Sequence, residues 1–283
     1  MTLKSHIYQR YTHFKVTQCA PGVALVEINR PKQGNSFEHT TWIQFRDLLL
    51  QLNNEKDDNT VKVIILMGTG KHFCTGLNLK FAINHIGKLG LRAKRSRDGM
   101  ASSSSSTRKK LIYQFIKEFQ AAIATPTKID IPIISVCHGV TYGLALDIMA
   151  TTTVRYGTEG CKFAIPEIKL GFAADIGALQ RLPHIITNHS LFNELVLTGE
   201  SFDITTAKEL GIVSKVFNTK AQAFTEALKL AVKISKFSRD SIAGTKNSLT
   251  SMAEGESVDT GLENVARYNS ETLPVLKMPI SKL

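Results

Sequence analysis

Apolar residues run almost without interruption through Val61-Lys-Val-Ile-Ile-Leu-Met67 and Ile131-Pro-Ile-Ile-Ser-Val-Cys137. Each run is strand-sized and closed by glycine, at Gly68-Thr-Gly70 and His138-Gly139. This pattern predicts strands covered on both faces. Val23 to Asn29, stopped by Arg30-Pro31, predicts another strand, and so does Thr152 to Tyr156. Between them the apolar spacing turns helical, over Trp42 to Leu52 and Leu111 to Ile123, with a short buried helix over Ala145 to Ala150. Asn53 to Asn59 reads as a polar turn. Strands that alternate with helices predict an α/β core.

From Thr205 the periodicity is helical only: Thr205 to Leu210, Ala221 to Ser235, Arg239 to Met252 and Val258 to Asn269. The chain therefore divides into an α/β core over 1–204 and a helical region over 205–283. A basic, serine-rich stretch over 88–110 interrupts the core. It contains Arg92-Ala-Lys-Arg-Ser-Arg97, the serines 102 to 106 and Arg108-Lys-Lys110. That composition cannot build a core and predicts a flexible loop, or a rim that attracts phosphate. Short strand-turn-helix units recur, without a convincing internal repeat.

Composition narrows the class. With 283 residues and a 43% hydrophobic fraction, the chain has ample material for one large domain, or one domain with an appendage. No apolar run approaches a membrane span. A net charge of +11 suits phosphorylated small molecules, nucleic acid or a basic compartment. No recognised nucleic-acid motif accompanies it. The four cysteines, Cys19, Cys74, Cys137 and Cys161, are far apart and lack metal-ligand spacing, so no metal site is expected. The N-terminal residues show no secretory signal, which predicts a reducing intracellular compartment. The tripeptide Ser281-Lys282-Leu283 reads as a peroxisomal address for the import receptor, with a frayed tail as the alternative.

Three carboxylates stand in apolar sequence: Asp147 in Gly143-Leu-Ala-Leu-Asp-Ile-Met-Ala, Glu167 after Pro166, and Asp175 before Ile-Gly. Burying an acid is expensive, and burial raises its pKa toward neutrality, where it can both give and take protons. Each also fits a structural role. Asp175 suits a helix N-cap, Glu167 a first-turn acid, and Asp147 a hydrogen-bonded helix residue. Two glycine-containing loops follow buried strands, Phe73-Cys-Thr-Gly-Leu-Asn-Leu79 and His138-Gly-Val-Thr-Tyr-Gly-Leu-Ala145. Glycine lets backbone approach a ligand, and two amides converging on one oxygen would make an oxyanion hole. There is no P-loop, no GxGxxG after a strand, no HExxH and no evident nucleophile–base pair.

Taken together, Asn29-Arg-Pro31 with Asn35, Phe73 to Leu79, the His138-Gly139 to Gly143 loop and Pro166-Glu-Ile-Lys-Leu-Gly171 resemble the enoyl-CoA hydratase/isomerase (crotonase) superfamily. The resemblance runs from about Tyr11 to Tyr268. Within it, Leu170 to Pro183 looks most like the branch of dienoyl-CoA isomerases, in which Asp175 stands where hydratases usually carry glycine. The resemblance implies a spiral of ββα units with a C-terminal helical trimerisation region, as a homotrimer or homohexamer. It implies an acyl-CoA substrate and no cofactor beyond the substrate's own coenzyme A. The expected reaction converts 3,5-dienoyl-CoA to 2,4-dienoyl-CoA in unsaturated fatty-acid β-oxidation. Asp175 would take the C2 proton, Glu167 would deliver one to C6, and Asp147 would support the site. The amides of Leu77 and Leu144 would hold the thioester carbonyl, within a binding loop that includes Cys74, Thr75 and Gly76. Two departures stand out: Gly143-Leu-Ala145 replaces the usual triple glycine, and Asn78 replaces an acid. A Δ3-Δ2-enoyl-CoA isomerase, an enoyl-CoA hydratase and a non-catalytic assembly subunit of the same fold are the alternatives.

Overall fold

The structure, a computed structural model, describes residues 8–55, 61–84 and 101–273. Its strands are β1 (Phe14–Ala20), β2 (Val23–Ile28), β3 (Val63–Gly68), β4 (Ile133–Cys137), β5 (Val140–Tyr142), β6 (Val154–Thr158), β7 (Lys162–Ala164), β8 (Phe202–Asp203) and β9 (Lys215–Phe217). The main helices are α1 (His39–Asn54), α2 (Ala101–Ile123), α3 (Leu144–Ala150), α4 (His189–Thr198), α5 (Ile204–Glu209), α6 (Lys220–Ser235), α7 (Arg239–Ala253) and α8 (Val258–Thr272). A six-stranded sheet runs in the order β1-β2-β3-β4-β6-β9, and β5-β7-β8 form a second sheet of three. In the large sheet β1 pairs antiparallel with β2, and every other pairing is parallel.

The apolar run of β3 has its cause in two cores. Ile64 and Leu66 face the larger core, which also holds the α1 side chains Trp42, Phe45 and Leu49. Val63, Ile65 and Met67 face the other way, against Ala223, Ala227 and Ala231 of α6. Alanines spaced at i, i+4 and i+8 line one helix face and let its backbone lie close to the sheet. The predicted strands over β2, β3, β4 and β6 and the predicted helices over α1, α3 and α5 to α8 are all present, with ends shifted by a few residues.

The serine run departs from expectation. Ser102 to Ser106 belong to α2, which begins at Ala101, ten residues before the predicted start, so this part of the expected flexible loop is helical. Serine costs only roughly 0.5 kcal/mol relative to alanine in a helix. Once Leu111–Ile123 has nucleated, each further residue adds a hydrogen bond without a new nucleation cost. Phe119 of α2 stacks on Trp42 with ring centroids 3.9 Å apart, which anchors the helix to α1. The basic cluster Arg92 to Arg97, the second half of the polar turn and the Ser281-Lys282-Leu283 tripeptide lie outside the described residues.

Candidate active site

The first loop leaves β3 and runs between two neighbours. On one side Cys74 donates its N–H to the Val140 carbonyl and accepts from Tyr142 N–H, at 3.4 and 3.2 Å. On the other side Thr75 N–H donates to Gly34 O, Phe37 N–H donates to Gly76 O, and Asn78 N–H donates to Phe37 O, at 3.0, 2.9 and 2.7 Å. In extended chain, N–H groups alternate sides. Thr75 and Asn78 are three apart yet both donate toward the 34–37 segment, so the alternation is broken between them. The break falls at Gly76, whose φ of +98° favours glycine. Its consequence is that Leu77 N–H faces away from Phe37, and no acceptor holds it among the described residues. The Leu77 side chain packs at the edge of the larger core.

The second loop comes to the same place. A Cβ built on Gly76 would stand 3.0 Å from the Tyr142 carbonyl oxygen and 3.9 Å from the Leu144 nitrogen. Leu144 opens α3, where the first-turn N–H groups have no partner within the helix. The Leu144 side chain is buried in the larger core, so the leucine in place of glycine turns inward, and its N–H has no acceptor among the described residues. Gly143, with φ +53°, makes that turn. Cys74 is buried beneath the first loop, and its Sγ accepts from Gly76 N–H at 3.4 Å. Burial pushes the Cys74 thiol up to about 12, which disfavours the thiolate and suits a packing role. Asn78 Oδ1 accepts from Phe81 N–H at 3.1 Å and caps the short helix over 79–84.

The three carboxylates lie together. Asp147 is buried in α3, and its Oδ1 accepts from Ala178 N–H at 2.5 Å, at the start of the helical turn Ala178–Arg181. Burial, reinforced by the charges of Glu167 and Asp175, pushes its carboxyl up to about 7, against the pull of the Ala178 bond. Glu167 begins the single 3₁₀ turn Glu167–Leu170 and reaches back to the second loop. A Cβ on Gly143 would meet its Oε1 at 2.6 Å. Its Oε2 is buried without a hydrogen-bond partner among the described residues. Burial first, then Asp175, raises the Glu167 carboxyl above the usual range. Asp175 is half-buried and raised by burial too. It is not a helix N-cap, because Gly177 holds that position. Asp175 also borders a cleft of about 660 Å³, formed with Lys117 and Gln120 of α2, Arg181 and the end of α7.

A family comparison bears on this arrangement. The enoyl-CoA hydratase/isomerase profile matches residues 23–273. The chain belongs to that family. A curated relative, the peroxisomal Δ(3,5)-Δ(2,4)-dienoyl-CoA isomerase of Arabidopsis thaliana, is 36% identical over 246 residues, covering 87% of this chain and 83% of the relative. The mitochondrial enzyme of the same name from Homo sapiens is 30% identical over 263 residues, covering 93% of this chain and 76% of the relative. Among solved structures, an enoyl-CoA hydratase from Bacillus anthracis superposes with a TM-score of 0.76 at 22% identity, over 94% of this chain and 92% of that one. This likeness shows the fold, the crotonase fold expected from the motifs.

Every site residue singled out in the sequence of this hydratase/isomerase family member falls in one region. The loop holding Cys74, Thr75, Gly76 and Leu77 lies against Leu144, and Asp147, Glu167 and Asp175 couple electrostatically with one another. Three contributors were not legible there. Ala178 supplies the N–H that Asp147 accepts, and Gln120 Nε2 donates to the Asp175 carbonyl at 2.6 Å. Asn35, noted only as part of a motif, anchors the first loop. His138 is 4% exposed and pushed down to about 4, chiefly by burial and then by Lys220, which suits a structural role.

Proposed function

We propose that this protein isomerises 3,5-dienoyl-CoA to 2,4-dienoyl-CoA. One observation carries the reading: carboxyl groups with raised proton affinity gather beside two loops that each hold a backbone N–H without an acceptor among the described residues. The names of the Arabidopsis and human relatives support it.

The chemistry is a proton relocation. Asp175 takes a proton from C2, and the electron pair moves into the thioester to give a trienolate conjugated through to C6. The N–H groups of Leu77 and Leu144 stabilise its oxygen, typically the largest electrostatic contribution in such catalysis. The conjugated electrons then take a proton at C6 from Glu167, leaving double bonds at C2 and C4. One proton leaves and one arrives, so the step is redox-neutral and needs nothing beyond the substrate and its coenzyme A. Glu167 suits the acid because its Oε2, buried with no partner among the described residues, favours the protonated form. Asp175, half-exposed, suits the base. Asp147 holds the Ala178 turn and couples to both.

Purified protein given 3,5-dienoyl-CoA, 3-enoyl-CoA and 2-enoyl-CoA should convert the first, read as the rising absorbance of the 2,4-dienoyl product. Turnover of only 3-enoyl-CoA or 2-enoyl-CoA would replace this reading with the enoyl isomerase or the hydratase. No turnover of any would leave the assembly subunit.

We also propose a homotrimer, or a hexamer of two trimers. Support comes from the apolar side chains that α7 and α8 leave exposed, Leu249, Met252, Val258 and Leu262, which together suit burial against further copies. Sedimentation gives the mass directly. Residence in the peroxisomal matrix rests on Ser281-Lys282-Leu283 and on the peroxisomal name of the Arabidopsis relative. Among the described residues no helix is long and apolar enough to cross a membrane.

A further inference from the structure

Asn35 is fully buried and is the one described residue other than glycine with a positive φ, 58°. A left-handed asparagine is tolerated because its short amide can bond locally. Here every bond it makes goes to main chain. Oδ1 accepts from Arg30 N–H at 2.8 Å, and Nδ2 donates to the carbonyls of Thr69 and His72, both at 2.8 Å. Two carbonyls on one side and an N–H on the other leave only one chemically sensible orientation of the amide.

Those partners matter for what they carry. Thr69 and His72 bracket the turn that leads from β3 into the first loop. Residues 34–37, on either side of Asn35, make the three backbone bonds that clamp 75–78 and turn Leu77 N–H outward. The same turn reaches the second loop: Phe73 N–H donates to His138 O at 2.8 Å, and His72 Nδ1 accepts from Val140 N–H at 3.1 Å. The space is tight, since a Cβ on Gly68 would stand 2.7 Å from Asn35 Nδ2. One buried amide thus ties the clamp strand to the turn that spaces the two loops.

We propose that Asn35 is a positioning residue for catalysis: through Thr69 and His72 it sets where the Leu77 N–H lies relative to the Leu144 N–H. The proposal rests on the oxyanion reading of those two amides. Donors aimed at a developing charge stabilise the trienolate more than the bound substrate, so displacing one should lower kcat and leave KM nearly unchanged.

Two variants test it. Asn35→Gly keeps the left-handed backbone and removes all three side-chain bonds. Asn35→Asp keeps the acceptor for Arg30 and loses both donors. Each would be assayed with 3,5-dienoyl-CoA and titrated with 2,4-dienoyl-CoA, whose absorbance moves to longer wavelength when its thioester carbonyl is polarised. Circular dichroism would confirm folding. The expected result in the folded variants is kcat lowered at least tenfold, KM within threefold of wild type, and most of the red shift lost. Wild-type kcat and red shift in a folded variant would overturn the proposal, as would a raised KM at unchanged kcat. Failure of both variants to fold would make Asn35 purely structural and overturn it as well. Wild-type protein that neither turns over nor shifts the dienoyl absorbance would instead overturn the oxyanion reading, and the Asn35 proposal with it.

Discussion

Gly143 and Glu167 occupy adjoining space: a Cβ on the glycine would stand 2.6 Å from the glutamate Oε1, and Gly143 has φ +53°. The turn that presents Leu144 N–H and the acid proposed for C6 are therefore placed by one contact. Gly143→Ala should move both, and we expect kcat to fall at least tenfold. The backbone strain should also lower the thermal midpoint. Steady-state kinetics with a melting curve check both expectations, and a variant with wild-type kcat would show that the contact does not set the site.

Removing either proton carrier should be more damaging. Asp175→Asn and Glu167→Gln preserve shape and lose the titrating group. Each should cut kcat at least a hundredfold with the fold intact. The rise of 2,4-dienoyl absorbance measures turnover, and circular dichroism checks folding. Near-wild-type turnover in one variant would remove that residue from the relay.

Asp147 gives a pH dependence with a definite sign. Its carboxyl moves from an ordinary 3.8 to about 7 in the fold, through burial and then through Glu167 and Asp175, with Ala178 and Arg181 opposing. The folded chain then holds a proton that the unfolded chain has released. Stability should fall as pH rises from about 4 through about 7, by an amount of order a few kcal/mol. Asp147→Asn keeps an acceptor for Ala178 N–H and removes the titration. Its urea midpoint should gain on wild type between about pH 4 and 7 and level off above. Parallel curves for the two proteins would show that Asp147 stays ionised throughout.

Leu144 separates side chain from amide. Its side chain is buried in the core, while its N–H belongs to the loop. Leu144→Ala should cost about 2–5 kcal/mol of stability. The rate per folded molecule should stay within about threefold of wild type, because the backbone donor remains. Denaturant titration and active-enzyme kinetics measure the two quantities independently. A collapse of kcat in folded protein would mean that the side chain shapes the site.

The tail prediction is simple. Deleting Leu283 should leave a fluorescently tagged protein in the cytosol, while the intact tripeptide should carry it into peroxisomes. Fluorescence microscopy beside a peroxisomal marker decides it, and unchanged import would refute the address.

Much of this arrangement could be read from the chain. β2, β3 and β4 announce themselves because strands buried on both faces require continuous apolar sequence. α1 and α6 show because their buried faces recur every turn. β5, β7 and β8 have only two or three residues each, too few for any period to register. β1 sits at the sheet edge, where Thr17, Gln18 and Cys19 mix with Phe14 and Val16 and blur the alternation. The serine run misleads because its composition resembles linkers, whereas a helix already started downstream outweighs a small intrinsic preference. At the site, the acids and glycines were visible as costly or permissive residue types. The bond from Ala178 to Asp147 and the reversal at Gly76 were not. They depend on contacts between distant segments, and single-residue chemistry does not record those.

The outward turn at Gly76 has a consequence for how this site can change. On the proposed reading the groups that polarise the thioester belong to the peptide chain itself, and no codon spells them. Exchange of Leu77 or Leu144 for eighteen of the nineteen other amino acids leaves an N–H in place; only proline erases it. The chemistry is thereby insulated from drift at the positions that perform it, and those side chains are free to serve the interior. Vulnerability passes instead to the glycines and the buried amide that steer the backbone.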